Sequence, residues 1–152
     1  MGAGWTKTLL SWFSSKPDPT GVDTVNFKLS QRSRDRLVGV HPDLVRVVEL
    51  AILLTTVDFS VVDGVRTLNK QREYFNRGKS KTMNSRHLTG HAVDLAPWVH
   101  GEIDWSDGPH WLAISDAMKQ AAYSERIPLT WDGEWEWQDK PHFELPWSTY
   151  NG

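Results

Sequence analysis

The chain has 152 residues, a length that suits one domain able to bury roughly two thirds of its unfolded surface without a disulfide or structural metal. It contains no cysteine, which excludes disulfides, cysteine-rich zinc fingers, iron–sulfur clusters and thiol catalysis, so a bound metal must be held by His and carboxylate. A net charge of −2, from 17 basic and 19 acidic residues, gives no global attraction to nucleic acid, and no apolar run is long enough to span a bilayer.

In chain order, residues 1–25 read as an N-terminal arm and linker, and residues 26–152 as the catalytic domain. Trp5, Leu9, Leu10, Trp12 and Phe13 cluster on a short amphipathic stretch, and Ser, Pro and Gly mark residues 14–21 as a linker. The apolar part is too short, and too interrupted by Lys7, for a secretory signal. It reads as a packed arm or tail, with weak contact of residues 1–15 with the cell envelope as the sharper reading.

Ser30 can cap a helix running through Leu37 and ended by Gly39. Pro42 and Asp43 open a second helix, on which Leu44, Val47, Val48, Ala51 and Leu54 recur at helical spacing. Phe59 to Val65 reads as a strand. Thr67 caps a third helix, Leu68 to Arg77, closed by Gly78. Residues 79–90 read as a polar loop, and His91 to Trp98 as a strand entering the core. Pro109 to Arg126 is the strongest helix, with Trp111, Ile114, Met118, Ala121 and Ala122 on one side. Pro128–Trp131 and Pro141–Leu145 are two short strands around a loop rich in Trp and Glu. The pattern predicts an α+β fold, a small antiparallel sheet flanked by helices.

Most of the nine Trp residues read as packing, but Trp98, Trp105, Trp135 and Trp137 lie near the candidate site and suit a groove. That site is Ser85-Arg86-His87-Leu88-Thr89-Gly90-His91-Ala92-Val93-Asp94, followed at a distance by Asp139-Lys140-Pro141-His142. Zinc accepts imidazole nitrogen and carboxylate oxygen at about 2 Å, so two of its ligands lie within about 4 Å of each other. His87 and Asp94 are seven residues apart. That separation is about 10 Å of rise on a helix and about 23 Å on a strand. The chain must therefore reverse between them, and Thr89-Gly90 supplies turn residues. His142 must then come from a neighbouring strand. Three such ligands leave a fourth position open, as catalytic zinc sites do.

A rival pair, His87 with His91, has helical i, i+4 spacing, but Thr89, Gly90 and Val93 form helices poorly. His91 therefore reads as packing or hydrogen-bonding beside the site, and His41, His100 and His110 as solvated or capping residues at element ends. Asp139 suits a general base, with a turn residue as its bland reading. Glu134, Glu136 and Glu144 compete with it as bases or outer partners, and spacing does not exclude Glu136. Arg66, at a strand end, suits a bidentate grip on a substrate carboxylate, with a surface ion pair as the alternative. Gln71 and Ser85 are weaker candidates for peptide contacts, and Arg86 reads as a solvated loop residue.

These residues resemble the zinc peptidase family that includes D-Ala-D-Ala carboxypeptidases and dipeptidases and phage L-alanyl-D-glutamate endopeptidases. Its pattern is S-x-H-x-x-G-x-A-x-D, then a distant acid-x-x-H. Ser85, His87, Gly90, Ala92 and Asp94 match the first part, and Asp139 and His142 the second. The likeness runs from about Phe27 to Leu145, and Asp rather than Glu at 139 looks like the endolysin branch. Met1 to Val25 has no counterpart in the minimal family domain.

The resemblance implies a fold like the hedgehog/D-Ala-D-Ala peptidase class. It implies one Zn2+ per chain on His87, Asp94 and His142, with Asp139 as base. It also implies a bacteriolytic phage endolysin that cuts the L-Ala–D-Glu bond of peptidoglycan stem peptides. The expected partner is that stem peptide, with no nucleic acid, and the chain is expected to be a monomer. With no convincing signal, such a protein waits in the host cytoplasm for a membrane lesion and then reaches the periplasm and cell wall. A D,D-carboxypeptidase or dipeptidase with the same zinc site, or a non-catalytic wall-binding module of the same fold, are the alternatives.

Overall fold

The computed structural model describes residues 26–134 and 139–151. The arm at residues 1–21, Trp135, Trp137 and Glu136 therefore lie outside the described residues.

Helices start where a side chain can satisfy a free backbone N–H. Ser30 Oγ accepts from Ser33 N at the head of α1 (Gln31–Arg36). His41 Nδ1 accepts from Asp43 N at the head of α2 (Pro42–Leu54). Thr67 Oγ1 accepts from Lys70 N at the head of α3 (Leu68–Asn76). The longest helix, α4 (His110–Glu125), starts after Pro109 and ends at Arg126, which takes a left-handed conformation. The apolar faces read from the sequence meet: Leu44, Val47, Val48, Ala51 and Ile52 of α2 share one core with Ile114, Ala117, Met118, Ala121 and Ala122 of α4. Leu54 packs at the margin of that core.

The strands are β1 (Phe59–Asp63), β2 (Ala92–Val99), β3 (Glu102–Ile103), β4 (Thr130–Trp131) and β5 (His142–Glu144). They form one antiparallel sheet in the order β1-β2-β5-β4, with β3 pairing β2. β3 was not foreseen, because two residues carry no periodicity. A two-residue turn joins it to β2: His100 and Gly101 both have positive φ, as a tight hairpin turn with matching twist requires.

Strand residues alternate between faces. Val61, Val93, Leu95 and Phe143 point into the helical core, and Asp94 and His142 point to the other face. β1 departs from regular register. Val61 faces Leu95 and Asp63 faces Asp94, so Val62 is an extra residue. A bulge reverses which face the following side chain takes. It turns Asp63 away from the face of Val61 and onto the face of Asp94.

The loop at residues 79–90 departs from expectation. It contains a 3-10 turn, Arg86–Thr89, and Ser85, Arg86 and His87 are buried. Arg86 is not solvated. Its guanidinium donates to the Leu145 carbonyl from Nε (3.1 Å) and Nη2 (2.8 Å), and to the Tyr150 carbonyl (2.9 Å). It also lies 4.0 Å from the centre of the Trp147 ring. Aromatic contact and carbonyl acceptors replace the water that a buried cation loses. Tyr150 in turn donates to the Asp43 carboxylate (2.7 Å), tying the C-terminal segment to α2. Among the described residues no helix is long and apolar enough to cross a membrane.

Candidate metal centre

Three elements bring the site together. Ser85 Oγ accepts from His87 N (3.2 Å) and starts the 3-10 turn. Gly90 ends it with φ of 78°, and a Cβ there would lie 2.6 Å from the Gly39 carbonyl oxygen. Both the conformation and the close approach demand glycine. The chain then reverses into β2, and His87 Nε2 comes to 3.2 Å from Asp94 Oδ1. β5 runs antiparallel to β2 with His142 opposite Asp94, which puts His142 Nδ1 at 3.2 Å from the same Oδ1. The two imidazole rings stand edge to face, 5.0 Å apart at 73°. His87, Asp94 and His142 each offer one donor atom, all within 4.8 Å of one another. Both histidines are buried and Asp94 is partly open. Two imidazole nitrogens and one carboxylate oxygen, converging on one point with only Asp94 partly exposed, fit a zinc-type ion.

The tautomer of His87 supports that fit. His87 Nδ1 lies 2.7 Å from the Gly64 carbonyl oxygen, an atom that only accepts. Nδ1 therefore carries hydrogen and Nε2 is left for the centre. Burial works against the charged form of His142. Its hydrogen bonds to Asp94 and Glu144, and the charges of Asp94 and Asp132, outweigh burial and push its pKa up to about 10. Burial also opposes ionised Asp94, but the charge of His87 and hydrogen bonds from both histidines hold it well below the usual carboxylate range. The cluster thus keeps an anion between two imidazoles and also favours a proton on His142, with which a metal ion would compete.

Asp139 is exposed at the residue level. Its N–H donates to the Asp132 carbonyl (3.2 Å) and its carbonyl accepts from His142 N (3.1 Å), so it is both the turn residue before β5 and a neighbour of the cluster. Protein packed about its carboxyl, then the charge of Asp94, raise its pKa, while His142, His87 and Arg66 pull the other way. Glu134 is exposed and pairs with Lys119 instead.

Arg66 is buried rather than on the surface. Nε (3.0 Å) and Nη2 (2.6 Å) both donate to Asp63 Oδ2, Nη1 donates to Gln71 Oε1 (2.7 Å), and Nη2 lies 3.6 Å from Asp94 Oδ2. The bulge in β1 is what sets Asp63 where it can hold this cation beside Asp94. Gln71 is fully buried and its amide nitrogen donates to Ser80 Oγ and the Thr82 carbonyl, so both ends serve the protein. Ser85 is a buried cap.

His91 turns from the centre: Nδ1 lies 2.7 Å from Thr89 Oγ1 and its ring packs at a tilt against His41 and Tyr150. His41 caps α2 and His110 is the first residue of α4. Trp98 is half-buried, on the Asp94 face of β2, and Trp105 is exposed.

Spacing missed Asp132 and left Glu144 as one of several acids. Asp132 is buried, and its pKa is raised to about 7 by burial, against His142, and by the charges of Glu144, Asp139 and Asp94. Glu144 Oε1 lies 2.8 Å from His142 Nε2. The signal for Glu144 was its place two residues after His142 on a strand, which puts both on one face.

The chain matches the family model for phage L-alanyl-D-glutamate peptidase over residues 25–152. It is 33% identical over 131 residues to the L-alanyl-D-glutamate peptidase of Escherichia phage T5, covering 84% of this chain and 96% of that protein. It is 26% identical over 95 residues to the L-alanyl-D-glutamate peptidase of Listeria phage A118, covering 62% of this chain and 32% of that protein. The crystal structure of the Serratia marcescens L-Ala D-Glu endopeptidase ChiX superimposes with a TM-score of 0.78 at 41% identity, covering 84% of this chain and 96% of that one.

Proposed function

Because the chain belongs to the phage L-alanyl-D-glutamate peptidase family, we propose that it is a lytic peptidase that hydrolyses the L-Ala–D-Glu bond of peptidoglycan stem peptides, with one zinc ion per chain. The observation that carries the reading is the convergence of His87 Nε2, Asp94 Oδ1 and His142 Nδ1 beside the carboxyl of Asp139. His87, Asp94 and His142 would hold the ion. Zinc held by three protein ligands supplies Lewis-acid chemistry: it polarises a carbonyl and makes water nucleophilic near neutral pH.

The remaining work falls to the chain itself. Asp139 accepts a proton from the attacking water and passes it to the leaving amine. Its raised pKa supports the second half of that cycle, because the acid form must persist long enough to donate. Arg66 holds positive charge beside Asp94; its Nε–Nη2 edge is taken by Asp63, so its part toward a substrate carboxylate is that fixed charge rather than a free bidentate fork. Gln71 supports that role by fixing Nη1 of Arg66. Ser85 sets the turn that presents His87.

Residues 26–152 form the catalytic unit on this reading, and the chain acts as a monomer. It remains in the host cytoplasm until another protein breaches the membrane. Fractionation of cells that express it alone should find it inside, and export would overturn that point.

The direct test is digestion of purified peptidoglycan, with new amino termini read by mass spectrometry. New D-Glu termini that disappear with chelator and return with zinc are the expected result. Release of free D-Ala would move the chain to carboxypeptidase chemistry. Bound zinc with no product would leave a wall-binding module.

A further inference from the structure

We propose that Glu144 is a positioning residue for His142: its carboxylate accepts the hydrogen bond from the ring's Nε2–H and so leaves Nδ1 to face the metal. The inference rests on the metal-dependent reading above and deepens it.

His142 has carboxylates on both sides. Nδ1 lies 3.2 Å from Asp94 Oδ1, and Nε2 lies 2.8 Å from Glu144 Oε1 and 3.7 Å from Asp132 Oδ2. A neutral imidazole has one hydrogen, so the acceptor on one nitrogen decides which nitrogen is free. Glu144 is well placed to decide it. It lies on the same face of β5 as His142, and β5 is paired on both edges: Glu144 stands opposite Ala92 on β2 and opposite Thr130 on β4. Its side chain is only 13% exposed. Neither strand nor side chain can drift far.

The same atoms admit a competing arrangement. Asp132, His142 and Glu144 also offer donor atoms within 4.8 Å of one another, and the buried Asp132 Oδ1 has no hydrogen-bond partner. A cation there would need the lone pair of Nε2, while an ion among His87, Asp94 and His142 needs that of Nδ1. One neutral ring cannot supply both. The Nδ1 side combines a second imidazole, already oriented by the Gly64 carbonyl, with the partly exposed carboxylate of Asp94. The Nε2 side offers carboxylates alone. A carboxylate that accepts the outer N–H of a ligating histidine orients the ring and raises its basicity. Glu144 has that geometry, with Asp132 closing the wall behind the ring.

The test uses the full chain and its Glu144→Ala, Glu144→Gln and His142→Ala variants. Zinc affinity is measured by competition with a chelating dye, cobalt loading by visible absorption, and His142 protonation by long-range proton–nitrogen NMR of the zinc form. Glu144→Ala should weaken zinc by about 10–100-fold and alter the cobalt spectrum. Glu144→Gln, which still accepts a hydrogen bond but lacks the charge, should fall between. The loaded wild type should carry hydrogen on His142 Nε2. Should Glu144→Ala unfold, the isosteric Glu144→Gln decides: weaker binding supports the proposal and wild-type affinity overturns it. Unchanged affinity and spectrum in Glu144→Ala, hydrogen on Nδ1, or a second ion lost with Glu144 would each overturn it too. The metal reading itself fails, and this inference with it, if the wild type binds no ion or if His142→Ala binds as tightly as wild type.

Discussion

The two histidines of the centre stand against differently built walls. Behind His87 is a neutral backbone carbonyl, that of Gly64. Behind His142 are the carboxylates of Glu144 and Asp132. A carbonyl orients a ring without changing the charge around it, so the His87 side is ready for a cation. Carboxylates orient a ring and also attract a proton to it, which is why the pKa of His142 is pushed up to about 10. Metal binding must therefore displace a proton at His142. One wall serves geometry, and the other couples geometry to proton balance.

The largest expected effect lies in front of both walls, at the carboxyl proposed as the base. Asp139→Asn should lower turnover of peptidoglycan by about 10²–10⁴-fold while zinc affinity stays near wild type. Loss of zinc along with activity would make Asp139 part of the metal site instead. The carbonyl wall is broken by Gly64→Ala. A Cβ at Gly64 would lie 1.9 Å from the Arg36 carbonyl oxygen, and backbone cannot swing aside as a flexible side chain can. Overpacking of this kind costs about 1–3 kcal/mol. Denaturant unfolding of the metal-free protein should show it, and zinc affinity should fall as the Gly64 carbonyl shifts from His87. Full stability in Gly64→Ala would mean that this backbone is free to move.

The smallest effect is in pH. Both His142 and Asp132 have raised pKa values in the fold, so the native state binds more protons than the unfolded chain. Their contribution is complete at low pH and is lost as pH rises, for Asp132 from about 4 through about 7 and for His142 from about 6.5 through about 10. Asp94 has the opposite sign, its contribution being lost as pH falls below the ordinary carboxylate range. The Tm of metal-free protein should therefore decline between pH 6.5 and 9.5. Zinc should remove most of that decline, because a ligating His142 is already neutral and has given up the second ring proton that titrates. A metal-free Tm that rises over this range would contradict the carboxylate wall.

Much of the fold was legible because it depends on neighbours in sequence. Ser30 and Thr67 cap the helices they precede, and Gly90 turns the chain between His87 and Asp94. The apolar faces of α2 and α4 follow from helical spacing alone. The convergence of His87, Asp94 and His142 was legible for a further reason: three ligand-type side chains with a forced reversal between the first two leave few ways to share one ion.

What the chain's own pattern determined, then, was its helices, its main strands and its set of metal-ligand candidates. The tertiary structure alone decided that Arg86 is a buried clamp, that a bulge at Val62 swings Asp63 to hold Arg66, and that Asp132 and Glu144 stand behind His142. The physical reason is distance along the chain. Capping and periodicity act over a few residues, whereas Arg86 finds its acceptor 59 residues away and His87 finds Gly64 across 23. No spacing rule reaches that far, because such partners meet only after the sheet has paired and the core has closed.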